Sequence, residues 1–174
     1  MAWSLKTLES MREKILIRAF VDTEVWSIAK KRPAMEKFRS KEDYERAFRL
    51  HESCKRFFEE EFEKLRTYMA LHQVAEIFHV LAFRGYRVPL DEALRIVVGI
   101  MEDDGIVKIP TSLGHVKESV EACKETGIHV WDFLCFIPVK NYVNVVYSLD
   151  KHFLTIGKKY NVKVVNPAEE WLEI

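Results

Sequence analysis

Short apolar runs alternate with amphipathic helical patterns along most of the chain, and this alternation constrains the fold more than any other feature. Residues Ile15 to Val21 (ILIRAFV) read as a buried strand, with a helix following from Glu24. Ser40, with Asp43 three residues on, opens a long amphipathic helix that carries Tyr44, Phe48, His51, Phe58, Phe62 and Leu65 on one stripe. A strand near Thr67 to Leu71 leads into a helix with Val74, Ile77, Phe78 and Leu81, and Pro89 opens another, Leu90 to Met101, ending at the Asp104-Gly105 turn. Ile106 to Ile109 is strand-like, and Thr111 or Ser112 caps a helix that stops at Gly127. A short helix from about Trp131, a strand Val143 to Tyr147, a helix from Asp150 and a last strand Val162 to Val165, closed by Pro167, complete the series. Strand and helix thus alternate about five times, which predicts an α/β fold of three layers: a parallel sheet of about five strands between helices joined by right-handed crossovers.

No repeat, low-complexity tract or Pro/Gly-rich linker divides the chain, so one domain over 1–174 is expected. With 48% hydrophobic and 12% aromatic residues and 27 bases against 27 acids, composition excludes disorder and a broadly basic nucleic-acid binder. Local positive charge stays compatible with that balance. The longest apolar stretch, Phe133 to Val139, is far short of the roughly 20 residues that span a bilayer, so no membrane association is expected. The first residues, MAWSLKTLESMREK, lack the apolar core of a signal peptide. Cys54, Cys123 and Cys135 form no C-x-x-C pair, which points to reduced thiols filling core space in a cytoplasmic protein.

In an open α/β sheet the functional crevice lies beyond the carboxyl ends of the strands. Asp22 follows the first strand directly (FVDTEVW), and Asp150 follows the fourth after a two-residue turn (VVYSLDKHF). Glu76 stands in the first turns of the helix after the second strand (LHQVAEIFHVL). Asp132 starts a helix that runs against the strands (HVWDFL), so its amino end reaches the same edge. Carboxylates converging in a partly dry site repel, and either some take up protons or a cation neutralises them. An all-oxygen set suits a hard ion such as Mg²⁺ or Mn²⁺.

These motifs, in this order, resemble the PIN-domain nucleases, which include the toxin ribonucleases of prokaryotic toxin–antitoxin pairs. The resemblance runs from about Ile15 to Pro167: FVDT, the acid inside VAEIFHVL, the Trp-Asp start of VWDFL, S-x-D-x-x-F in YSLDKHF, and the closing VVNP. It implies that Asp22, Glu76, Asp132 and Asp150 ligate Mg²⁺ or Mn²⁺, with a metal-activated water cleaving RNA, and that Thr23 and Ser148 support the ligands. It further implies a single-stranded RNA substrate, a homodimer, and a role as a toxin with an antitoxin partner or in RNA processing and decay. The alternative is a PIN module that binds RNA or a protein partner without cleaving.

Several positions depart from the family pattern. Small residues commonly follow the third acid, whereas Phe133, Phe136 and Pro138 stand here, and Pro138 is expected to bend or end that helix early. His152 stands where many members have a further Asp, and Glu24 where a small polar residue is common. Residues 31–65 amount to about one extra helix, whose apolar stripe is expected to pack internally. His72, Glu76 and His79 share a helical face, but the E-x-x-H they contain has no second copy and the strand signals contradict a di-iron bundle. The histidines are therefore expected to line the site or pack beside it. Glu59, Glu60, Glu61 and Glu63 read as a solvated face, and Asp103 and Asp104 as turn residues. Among Lys30, Lys31, Arg32, Lys140, Lys151, Lys158 and Lys159, some are candidates for phosphate contacts; no aromatic residue can be singled out for base stacking.

Overall fold

The computed structural model describes residues 16–172. The expectations made on the first fifteen residues, that the segment is no leader and that the first strand begins at Ile15, lie outside it. Five strands form one sheet: β1 (Ile17–Val21), β2 (Leu65–Ala70), β3 (Ile106–Ile109), β4 (Val145–Tyr147) and β5 (Lys163–Val165). Every pairing is parallel and the order is β3-β2-β1-β4-β5, so β1 is central. Seven α-helices accompany the sheet among the described residues: α1 (Thr23–Lys30), α2 (Lys41–Glu60), α3 (Leu71–Phe83), α4 (Leu90–Glu102), α5 (Leu113–Thr126), α6 (Val130–Phe136) and α7 (His152–Tyr160). None of them is long and apolar enough to cross a membrane.

Side-chain alternation along β1 explains the three layers. Ala19 and Val21 point into an apolar cluster built with α1 to α4, while Phe20 points into another built with α5 to α7. A strand buried on both faces must be apolar at successive positions, which is why AFV is an unbroken run. On the second face, Phe20 lies between Phe153, stacked at 5.8 Å, and Phe136, edge-on at 5.9 Å. On the first, Trp26 meets Phe58 at 4.5 Å and Phe62 at 5.3 Å.

The long segment before β2 therefore packs internally, as expected, through Leu50, Cys54 and Phe57 of α2. Its single predicted stripe does not survive intact. α2 ends at Glu60, Phe62 lies in a 3₁₀ turn (Phe62–Lys64), and Leu65 opens β2. Phe62 keeps its place in the cluster through its ring contacts with Trp26 and Phe58.

Local signals set the helix ends. The Ser40 side chain accepts from the Asp43 N–H at 3.0 Å. Ser112 caps α5 in a reciprocal box completed by the His115 ring, and Gly127 ends it at φ 73°, a left-handed position that glycine adopts without Cβ strain. Pro138 falls outside α6, in the turn after it. The helix is already over at Phe136, so Pro138 interrupts no helical hydrogen bond.

Gly157 marks the closest approach of α7 to the β5 edge. A Cβ there would meet Val164 Cγ2 and, at 2.7 Å, the Val162 carbonyl oxygen, and backbone cannot yield as a side chain can. Gly157→Ala is expected to destabilise the fold by about 1–3 kcal/mol. Gly99→Ala, on an open helical surface with nothing within 4 Å, should be neutral or stabilising by up to about 1 kcal/mol. Urea midpoints of the two variants check the contrast.

Candidate metal centre

Each predicted acid sits where a strand or helix delivers it to the carboxyl edge of the sheet. Asp22 is the residue after β1: its N–H continues the ladder to Tyr147 O at 2.9 Å, and its side chain caps α1 by accepting from the Thr23 N–H at 2.8 Å. Ser148, immediately after β4, donates to the other Asp22 oxygen at 2.7 Å. The same hydroxyl accepts from the Asp150 N–H at 3.0 Å, so one serine couples two acids. Thr23 Oγ1 donates to Glu76 Oε2 at 2.6 Å, and Cys135 Sγ approaches that oxygen at 3.1 Å. The Val21 carbonyl, at the very end of β1, accepts from both Trp26 Nε1 and Gln73 Nε2. These two bonds tie α1 and α3 to the strand terminus and set the position from which Glu76 projects.

Asp22, Glu76, Asp132 and Asp150 line one cleft of about 270 Å³, together with Thr23, Glu24, Val80, Arg84, His129, Trp131 and Cys135. His152 does not line the cleft itself, but its ligand atom and those of Asp132 and Asp150 lie within 4.8 Å of one another. His152 Nδ1 is 3.3 Å from Asp150 Oδ2 and 3.8 Å from Asp132 Oδ2. That nitrogen is shielded from solvent and meets no hydrogen-bond partner among the described residues. Asp22 and Glu76 belong to no such group there; their oxygens are held instead by Thr23, Ser148 and Cys135. The four acids thus share a cleft, but the tight donor set is two carboxylates and an imidazole.

Electrostatics reflect this crowding. Burial holds the Asp22 carboxyl well above its ordinary value, with Asp132, Glu24 and Glu76 pushing the same way against the Ser148 hydrogen bond. Asp132 is pushed up to about 7, by burial first and then by Asp150, Glu76 and Glu24. Glu24 is raised by burial, with Lys31 opposing. Such a site binds either protons or a cation.

Several residues differ from what the sequence suggests. Cys135 fills the second core cluster, as expected, and beyond that contacts Glu76 and lines the cleft. Arg84 and His129 carry no motif of their own; Arg84 is the extended residue that ends α3. Phe133 and Phe136 are fully buried in the second core cluster, so they do not reshape the cleft. Lys31 is no phosphate contact: it is buried, its ammonium donates to Arg84 O at 2.7 Å, and burial lowers its pKa. Lys140 and Lys159 pair with Glu118 and Glu125. His79 stays on the exposed side of α3 against Phe83. A larger groove of about 670 Å³, between α2 and the segment after β5, shares no residue with the cleft.

No family model matches this sequence, and no curated protein does. A solved structure does match in shape: the crystal structure of Mycobacterium tuberculosis VapC20, a sarcin–ricin-loop-cleaving toxin, aligns with a TM-score of 0.58 over 80% of this chain and 95% of that one. The chain has a PIN-like fold. At 16% identity the likeness is one of architecture: a five-stranded parallel sheet between two helical layers. The PIN-like fold puts the cleft at the sheet's carboxyl edge, where the sequence motifs had located the acids.

The raised Asp132 fixes a pH dependence for the ion-free protein. Its folded pKa of about 7 exceeds the ordinary 3.8, so the folded state holds a proton that the unfolded state releases. Stability therefore falls as pH rises through that window and is level above it. Asn cannot ionise, so Asp132→Asn should gain stability at about pH 8 relative to about pH 4, by about 1–3 kcal/mol once the 24% side-chain exposure is discounted. Thermal melts in EDTA across that range, on both proteins, measure it.

Proposed function

We propose that this protein is a divalent-metal-dependent endoribonuclease. The observation that carries the reading is the convergence of Asp132, Asp150 and His152 at the cleft that Asp22, Glu76, Asp132 and Asp150 line together. Asp22, Glu76, Asp132 and Asp150 are the catalytic and metal-holding set, with His152 as an added nitrogen donor and Thr23 and Ser148 as positioning residues. A bound Mg²⁺ or Mn²⁺ supplies activation of water and neutralises charge on a phosphodiester. The donor set fits such an ion, being mostly carboxylate oxygen, and the imidazole favours Mn²⁺ over Mg²⁺.

The chain's own groups do the rest. Ser148 holds Asp22 and the Asp150 backbone in one register, so both carboxylates face the cleft together. Thr23 orients Glu76, and Arg84 at the rim offers a permanent cation for a substrate phosphate. The fold likeness to a toxin that cleaves the sarcin–ricin loop supports RNA as the substrate class. Its setting, on this reading, is the cytoplasm, as the toxin of a toxin–antitoxin pair, acting on single-stranded RNA, dimeric and restrained by an antitoxin protein. The second reading is a PIN module that binds RNA or a protein without cleaving. It draws on Asp22 and Glu76 being engaged by protein donors rather than standing free.

Single-stranded RNA incubated with Mn²⁺ or Mg²⁺ should be cut by the wild type, and EDTA should stop the reaction. Asp22→Asn, Asp132→Asn and Asp150→Asn should each lose nearly all activity, while Ser148→Ala should lose about ten- to a hundredfold. Equal cleavage by all of these proteins would sink the assignment. Metal titration by calorimetry, set beside the cleavage assay, separates the two readings, because a binding module would take up the ion and leave RNA intact. His152→Asp should narrow the preference for Mn²⁺ over Mg²⁺ in the same titrations.

A further inference from the structure

We propose that Trp131 is a nucleobase platform, its indole backed by His72 and set to stack against an unpaired base next to the phosphodiester in the acid cleft. This rests on the nuclease reading for the identity of the strand, but not for the geometry of the platform.

Tryptophan gains more than most side chains from burial, and Trp26 realises that gain at 4% exposure in the core. Trp131 does not: it is 54% exposed, on the first turn of α6. It is nevertheless held. Its ring lies nearly parallel to the His72 imidazole, 10° between planes and 5.4 Å between centroids. His72 comes from the first turn of α3, so the contact bridges two helices. The shielded His72 Nε2 meets no hydrogen-bond partner among the described residues, so no polar bond at that nitrogen explains the ring's position. One indole face is thereby backed and the side chain ordered in advance, which lowers the entropy lost when a ligand stacks.

Position decides which ligand. Trp131 lines the cleft with Asp22, Glu76, Asp132 and Asp150, and it is the chain neighbour of Asp132. A phosphodiester over those acids brings its flanking bases to the rim where the indole stands. Every base has a π-face, so such a platform grips single strands with little regard to sequence, while duplexes keep their bases stacked on one another. Arg84, lining the same cleft, supplies a cation for the backbone. A protein partner would instead need to cover a cleft floor of carboxylates.

The test compares an oligouridylate of about twelve nucleotides with an abasic ribose-phosphate chain of equal length, in EDTA so that no strand is cut. The wild type should prefer the oligouridylate, and Trp131→Ala should remove about tenfold of that preference while abasic binding stays unchanged. Trp131→Phe should retain part of it, and His72→Ala should lose part. Indole fluorescence should be quenched by the base-bearing chain and not by the abasic one, and the quench should vanish in Trp131→Ala although Trp3, Trp26 and Trp171 remain. With Mn²⁺, the same variant should raise KM more than it lowers kcat. An unchanged preference in Trp131→Ala overturns the platform, as does loss of self-association with RNA binding intact, which would assign the indole to a second copy of the chain. Loss of the preference in a protein that never cleaves leaves the platform standing and removes the nuclease reading. Cleavage with unaltered KM does the reverse.

Discussion

Like charges crowded into a place with little water are the constraint around which this structure is arranged. Asp22, Glu24, Glu76, Asp132 and Asp150 line one cleft, and burial raises the first, second and fourth of them above their ordinary range. The fold meets that strain with donors aimed at particular oxygens. Ser148 and the Thr23 N–H hold Asp22; the Thr23 hydroxyl and the Cys135 thiol hold Glu76; the His152 N–H holds Asp150. Beside them, Asp132, Asp150 and His152 bring three ligand atoms within 4.8 Å of one another, and that is where a cation has most to offer.

The core and the cleft are one mechanical system. β1 is central in the sheet, and its last carbonyl, Val21 O, accepts from Trp26 and Gln73. Trp26 in turn packs against Phe58 and Phe62, so the added helix α2 and the turn after it press on the element that presents Asp22 and Thr23. On the other face, Phe133 and Phe136 anchor α6 beneath the sheet, which holds Asp132 and Trp131 at the rim. These large aromatics serve as ballast under the site rather than as obstacles within it.

Much of the element order was legible because its signals are local. β3 begins and ends where the run Ile106 to Ile109 does, and Ser112 and Gly127 bracket α5 because a cap and a left-handed glycine act within a turn of the chain. The place of the acids was legible for a related reason: a residue directly after a parallel strand can only emerge at the carboxyl edge. Other features were hidden. Phe62 and Leu65 fit a helical stripe, yet one lies in a turn and the other in a strand, because β pairing with Ile17 outweighs the helical period. Cys135 does fill the second core, but nothing in its neighbours along the chain shows that Glu76, 59 positions away, would also approach its sulfur.

The sequence by itself determined the architecture and the edge at which its acids gather, since period-two and helical patterning, caps and strand ends are properties of neighbouring residues. Only the tertiary structure decided which side chains meet there: that His152 joins Asp132 and Asp150, that Lys31 is buried on Arg84 O, and that His72 backs an exposed Trp131. Contacts of that kind depend on how helices from both faces of the sheet are docked at its rim. That docking is set by packing summed over both cores, which no short stretch of chain encodes.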